Sequence, residues 1–335
     1  MARTAAASGS RRGPVPAGTT GAPRDVPSGA FSPAAAPPDR LPAAARAAVL
    51  DWYDARGRNL AFRTSRDPWA ILVSEVMAQQ TQISRVVEAW ARFLARFPTP
   101  AALAAGTPAD VLRAWQGMGY DRRALNLRRA AIAIVAAHGG AVPSDVSALE
   151  ELPGIGPYTA RAVASIAFGR AVGAVDTNVR RVLGRALLGG SPPPVRWLQA
   201  TADASVDPGR PADWTHALMD LGATTCRPRT PVCGTCPLRP WCRFAAGARD
   251  LLVASGPARS AARRSAPPFE TTTRWLRGRI LDRLRLADGD VWVVVTGPIG
   301  SHDAVAIRSA LAALERDGLI ERDPDGSDRA RLATT

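Results

Sequence analysis

Four cysteines lie within seventeen residues, spaced Cys226-x6-Cys233-x2-Cys236-x5-Cys242, and the rest of the chain has none. Four thiolates this close can ligate zinc or an iron–sulfur cluster, and softness alone does not choose between them. Their confinement to one stretch argues against a disulfide scaffold and for one metal site in a reducing compartment. Arg227, Arg229, Arg239 and Arg243 stand between or beside them. A metal-stapled loop dressed in arginine suits contact with phosphate.

A second stretch runs Leu152-Pro153-Gly154-Ile155-Gly156-Pro157-Tyr158-Thr159-Ala160. Gly154 and Gly156 remove Cβ where a backbone turns sharply and approaches another group. Pro157 suits the first turn of a following helix. The free N–H groups of such a turn and helix start point at an anion. An ordinary helix–turn–helix corner shares these local features. About one helix length later, Asp176 ends an apolar run and opens Thr177-Asn178-Val179-Arg180-Arg181, where it is placed to cap a helix. A phosphate grip with a carboxylate near it points to DNA chemistry.

The charge balance agrees. The 335 residues carry 43 basic side chains against 29 acidic ones, a net charge of +14, and all 43 are arginine. Residues 1–40 hold five Arg and two Asp, so +3 sits there and the remaining +11 belongs to the rest. An excess of this size points to a polyanionic partner. No run approaches the ~18 apolar residues of a spanning helix, so nucleic acid is favoured over membrane. The start, Met-Ala-Arg-Thr, lacks the apolar core of a signal peptide, and a cytoplasmic location is expected.

The elements that must position these residues are helices. Residues 1–39 are mostly Ala, Pro, Gly, Ser and Arg; they cannot bury enough surface to offset ordering entropy, and disorder is expected. From Leu41 the pattern predicts helices over 44–53, 69–78, 83–97, 107–115 and 124–138, and another from Ser147 into the glycine hairpin. Asp67-Pro68 reads as an N-cap with Pro at the first helical position. Pro and Gly punctuation, with almost no alternation, makes residues 41–245 all-α. Residues 245–268 read as a linker. Beyond them, a helix over 275–286, a strand within 290–296, a helix over 304–317 and a hairpin around Pro324-Asp325-Gly326 resemble a small α+β winged-helix module spanning 269–335.

In this order, these features resemble the helix–hairpin–helix DNA glycosylases of the endonuclease III superfamily. Residues 58–244 look most like its MutY-type adenine DNA glycosylases. The carriers are Ser74-Glu75-Val76-Met77-Ala78-Gln79-Gln80-Thr81-Gln82, Gly117-Met118-Gly119-Tyr120, the glycine hairpin, Val175 to Arg181, and the four cysteines. The resemblance implies a six-helix barrel over 67–169 and a helical iron–sulfur domain from 40–66 and 170–244. It implies a 4Fe–4S cluster on Cys226, Cys233, Cys236 and Cys242. The expected protein is a monomer of base excision repair that acts on double-stranded DNA with adenine opposite 8-oxoguanine or guanine.

The implied roles match what the chemistry needs. A base inside a duplex must be flipped out to be reached, at a cost of a few kcal/mol. The family's wedges map to Gln80, with Gln79 and Thr81 beside it, and to Tyr120. The N–H groups of Gly154, Ile155 and Gly156 would take a phosphate, with Arg180 as a further DNA contact. Glu75 corresponds to the acid that protonates adenine and then helps deliver water. That role needs a carboxyl whose pKa is raised by burial, and Ile71, Leu72, Val73, Val76 and Met77 surround it in sequence. Asp176 would stay ionised and stabilise an oxocarbenium-like sugar. Tyr158 and Asn178 match positions beside the sugar and its water, and Arg63 matches an arginine that orients the glutamate. Bifunctional relatives place a nucleophilic lysine at the Tyr158 position. This chain has no lysine, so a monofunctional enzyme is expected.

Tyrosine at that position also occurs in mismatch thymine glycosylases. A thymine or uracil glycosylase is therefore the alternative, which Gln79-Gln80-Thr81 disfavours. A non-enzymatic DNA-binding protein is disfavoured by the presence of both Glu75 and Asp176. Three departures stand out. Leu60-Ala61-Phe62-Arg63 replaces the family's Leu-Pro-Trp-Arg, and Asp121 replaces a frequent second tyrosine after Tyr120. Residues 269–335 are too short and too helical for the family's Nudix-like domain, which recognises 8-oxoguanine. Opposite-base recognition is expected to be reduced, or moved to the core or the tail.

Overall fold

The computed structural model describes residues 40–190, 193–247, 267–287, 289, 291–325 and 328–335. The expected disordered tail, and most of the expected linker, lie outside the described residues. Helices follow one another as α1 (Ala43–Arg56), α2 (Pro68–Ala78), α3 (Ile83–Arg96), α4 (Pro100–Ala105), α5 (Pro108–Ala114), α6 (Arg122–His138), α7 (Val146–Glu150), α8 (Pro157–Phe168), α9 (Thr177–Leu188), α10 (Val195–Ala204) and α11 (Pro211–Asp220). Asp67 caps α2 by accepting from the N–H groups of Trp69 and Ala70. Thr107 and Asp110 form a capping box on α5. Caps of this kind are worth about 1 kcal/mol each. Helix α4 is too short for periodicity to reveal, although Thr99-Pro100 gives it the same start signal.

Buried side chains form two clusters. One gathers α2, α3, α5, α6 and α8 around Trp69, Met77, Phe93 and Trp115. The other joins α1 to α9, α10 and α11 through Leu41, Val49, Leu183, Leu198 and Trp214. The first helix thus packs with the part of the chain beyond residue 174. Helix α8 lies against α2 on one side and α11 on another, which brings the two clusters together. No helix among the described residues is long and apolar enough to cross a membrane.

The C-terminal part is α+β. Helices α12 (Thr273–Arg285) and α13 (Ala304–Arg316) accompany a three-stranded antiparallel sheet ordered β1 (Val293–Val294), β3 (Arg329–Leu332), β2 (Ile320–Arg322). Glu321 faces Arg331 across the β2–β3 pair and is bridged to it at 2.7 Å. The strand expected over 290–296 shrinks to two residues. This part is not a separate body, because Leu276, Ile280, Leu311 and Leu332 belong to the same buried cluster as the barrel. Arg285 fastens the seam: it pairs with Asp121 and donates from Nε to the Leu112 carbonyl at 3.0 Å. Asp121, the departure after Tyr120, therefore anchors α12.

Candidate active site and DNA interface

One open cleft of about 900 Å³ is lined by Glu75, Arg63, Tyr158, Asp176, Asn178 and Arg180, and also by Gln79, Gln80 and Thr81. Glu75 and Asp176, a hundred residues apart, meet there because α2 packs on α8 and α9 follows α8.

Glu75 lies on α2 within an unbroken buried run, Trp69 to Met77, and is 8% exposed. The Tyr158 hydroxyl donates to its Oε2 at 2.9 Å. Burial raises the Glu75 carboxyl above its ordinary value; Tyr158 and Arg63 oppose the rise and the charge of Asp176 adds to it. Burial and the same two carboxylates push the Tyr158 phenol well above its usual range, so it keeps its proton. Asp176 is held differently. It caps α9, with Oδ1 accepting from the Val179 N–H at 2.7 Å and Oδ2 from the Asn178 side-chain amide at 2.7 Å. Two N–H donors at a helix N-terminus give a negative charge its partners.

Arg63 does not hold Glu75 by a hydrogen bond. Its two terminal nitrogens fork onto the Asp220 carboxylate at 2.8 Å each. Arg58 adds its backbone N–H at 2.8 Å and its Nε at 2.7 Å to the same carboxylate. Asp220 is fully buried. Burial alone would raise its carboxyl, but the arginines outweigh that and hold it below the usual range. Arg63 reaches Glu75 only through its charge, and the hydrogen bond that orients Glu75 comes from Tyr158. Asp220 escapes a motif reading, although one acid inside Ala217-Leu218-Met219-Asp220-Leu221 is a burial signal. Nearby His216, which also lines the cleft, is lowered to about 3 by burial and by Arg63 and stays neutral.

Asn178 is pinned from behind. A π-helical turn, Leu221–Thr225, follows α11, and a Cβ on Gly222 would come within 2.5 Å of the Asn178 Cβ. Arg181 donates from Nη2 to Asn178 Oδ1 at 2.8 Å and to the Gly222 carbonyl at 2.7 Å, and from Nε to the Cys226 carbonyl at 2.7 Å. One arginine thus ties the site to the cysteine loop.

On the hairpin, Gly154 has φ +81°, and a Cβ there would strike the Asn126 Cβ at 2.7 Å. Gly156 is open and begins α8 without a side-chain cap. The N–H groups of Gly156, Tyr158 and Thr159 have no partner within the helix, as at any helix start. Ile155 departs from expectation. Its side chain is 5% exposed in the core and its N–H is already donated to the Leu152 carbonyl at 3.0 Å. The Gln79 amide is also engaged, with Thr159 Oγ1 at 3.1 Å, which leaves Gln80 as the exposed member of the pair. Tyr120 is exposed and lines an adjoining groove with Gln79, Gln80 and α12. The Arg274 guanidinium lies 4.2 Å from the centre of its ring.

Residues 73–201 match the HhH-GPD superfamily of base excision DNA repair proteins. The adenine DNA glycosylase of Mycolicibacterium smegmatis is 43% identical over 282 residues, which make up 83% of this chain and 93% of that protein. The chain belongs to the adenine DNA glycosylase family. Its helix–hairpin–helix fold is shared with solved relatives. A thermostable thymine-DNA glycosylase superposes with a TM-score of 0.57 at 28% identity, over 60% of this chain and 94% of that one. A trapped endonuclease III–DNA covalent intermediate gives 0.54 at 25% identity, over 61% and 95%.

In this member of the adenine DNA glycosylase family, the four cysteines line one small cavity with Leu221, Leu238 and Phe244. Burial pushes the Cys236 thiol up to about 11 and raises Cys242, so ligation there must expel protons. Arg185 braces the loop, with Nη1 3.5 Å from Cys226 Sγ and 2.8 Å from the Arg227 carbonyl, and Nη2 2.7 Å from the Pro228 carbonyl. Among the described residues, no three His, Cys, Asp or Glu side chains are grouped to hold a single metal ion; the four cysteines stand around a cavity instead.

Proposed function

We propose that this protein is a monofunctional adenine DNA glycosylase that hydrolyses the N-glycosidic bond of adenine opposite 8-oxoguanine or guanine. The observation that carries the reading is the meeting, in one cleft, of a buried Glu75 that favours its neutral form and an Asp176 carboxylate held by N–H donors. A buried neutral acid beside a carboxylate held by N–H donors can divide acid and electrostatic roles with it.

Adenine leaves the duplex for the cleft, and Gln80 and Tyr120 fill the space and offset part of the unstacking cost. A backbone phosphate docks on Gly156 and the start of α8, with Arg180 beside it. Glu75 gives its proton to the base. The bond from C1′ to the base breaks, and its electron pair leaves with adenine. The positive charge that develops on the sugar faces Asp176. Water adds to C1′ and its proton returns to Glu75, while Asn178 and Tyr158 flank the water. The chain has no lysine to attack the sugar, and the phenol at the lyase position stays protonated, so the product is an intact abasic site.

Four soft sulfur donors around one cavity fit a 4Fe–4S cluster on Cys226, Cys233, Cys236 and Cys242. Bound there, the group would supply a rigid staple for the arginine-bearing loop, and Arg181 would pass that rigidity to Asn178. A broad absorbance near 400 nm is expected; a colourless protein carrying zinc would contradict the assignment.

The likeness to a thymine-DNA glycosylase gives thymine or uracil excision some support as a second reading. Purified protein incubated with duplexes holding A:8-oxoguanine, A:G, T:G or U:G separates the two. Strand scission at the adenine, and only after alkali, is expected. Scission at thymine or uracil alone would overturn the adenine reading, and scission without alkali would overturn the monofunctional one.

A further inference from the structure

Gln80 and Tyr120 share a backbone feature. Among the described residues, they are the non-glycine positions with positive φ, +54° and +49°. Such a conformation is strained for a residue with a side chain and persists where its surroundings hold it. At both places the surroundings include Arg123, in the first turn of α6. Its Nη1 reaches the carbonyl oxygens of Val76 at 2.8 Å, Met77 at 3.0 Å and Gln79 at 2.5 Å. Its Nη2 reaches Thr81 Oγ1 at 2.8 Å and the carbonyls of Met118 at 3.3 Å and Gly119 at 3.1 Å. One guanidinium therefore grips both neighbours of Gln80 and the two residues before Tyr120. The Val76 and Met77 carbonyls belong to the open C-terminal end of α2, where a cation is favourable. The same guanidinium lies 5.4 Å from the centre of the Tyr120 ring and 5.5 Å from that of the Trp115 ring. Arg123 is absent from the lining of the catalytic cleft and lines the groove beside Tyr120.

We propose that Arg123 is a positioning residue for base extrusion, which fixes the spacing of the Gln80 and Tyr120 wedges before DNA arrives. The proposal rests on the reading of the protein as an adenine glycosylase. Without the guanidinium, both loops lose the contacts that hold their left-handed residues, and the two side chains no longer enter the duplex as one tool. Lysine cannot substitute, because a point charge on a flexible stem does not span both loops as a planar fork does.

Single-turnover excision by R123A and R123K tests this on two substrates: adenine paired opposite guanine, and the same adenine opposite a tetrahydrofuran abasic analogue, where no pair has to be broken. Both variants should lose about 30-fold on the paired substrate and less than about threefold on the unpaired one, since extrusion carries the cost only when the base is paired. Equal losses on both substrates would make Arg123 merely structural and overturn the proposal, as would no loss on either. A wild-type protein inactive on both would overturn the adenine reading itself and this proposal with it. Thermal melting checks that each variant is folded. Should R123A fail to fold, R123K carries the test through 2-aminopurine in place of the adenine. Wild type should raise its fluorescence on binding and R123K should raise it less; a full rise with R123K would overturn the proposal.

Discussion

Glu75 and Asp176 differ by one methylene, and the molecule treats them in opposite ways. Glu75 sits in the first packed body, within the buried run Trp69 to Met77 of α2, and accepts a hydrogen bond from the neutral Tyr158 hydroxyl. Asp176 sits where the second body begins, at a helix N-terminus with two N–H donors. The first setting favours the neutral form of Glu75, and the second surrounds Asp176 with N–H donors. Helix α8 stands between the bodies and places Tyr158 against Glu75. The difference teaches that location in the fold, more than residue type, decides what surrounds a carboxyl.

Breaking either side should show that division. E75Q removes the proton that the proposed reaction gives to the base and should slow single-turnover excision about 10³-fold. The same change should stabilise the protein. A carboxyl raised in the folded state binds more protons there than in the unfolded chain, so stability falls as pH rises from about 4.5 through the folded value. Melting temperatures at pH 5 and pH 8 should therefore show a larger gain for E75Q at pH 8. D176N keeps a capping oxygen but loses the charge. A loss of about 10² in rate, with melting close to wild type, is expected.

Two smaller changes move the acid from its surroundings. D220N leaves Arg63 without its buried anion and should cost about 3 kcal/mol of stability in a denaturant titration. The uncompensated Arg63 charge would then favour ionised Glu75, so the alkaline limb of the rate profile should move to lower pH. Y158F removes a hydrogen bond that favours the Glu75 carboxylate, so the limb should move to higher pH, with a change of about threefold at neutral pH. Shifts in the same direction for both variants would mean that Glu75 is not the group being titrated.

Helix positions were legible from caps and spacing, because Asp67-Pro68, Thr107-Pro108 and Gly156-Pro157 announce starts locally. The residues proposed as acids and wedges were singled out through resemblance, and the structure gathers Glu75, Asp176 and Gln80 around one cleft. What escaped is long-range packing. Asp220, Arg123 and Arg181 act through contacts with residues 157, 47 and 41 positions away, and no local pattern encodes them. Ile155 misleads for a related reason: a motif read as a string does not say which member turns into the core. The C-terminal part has the helices and hairpin that its pattern gives, but the pattern does not tell that its apolar face continues the barrel core. Asp121 is intelligible only once Arg285 is seen beside it.

In the proposed reaction a neutral Glu75 delivers the proton to adenine. The pH dependence of single-turnover adenine release from an A:G duplex, for wild type and E75Q, tests it most directly. The wild-type rate should fall on the alkaline side, at a pKa above 4.5, and E75Q should show no such limb and a low rate throughout. A wild-type rate that is flat across that range, or E75Q excising adenine at the wild-type rate, would contradict it.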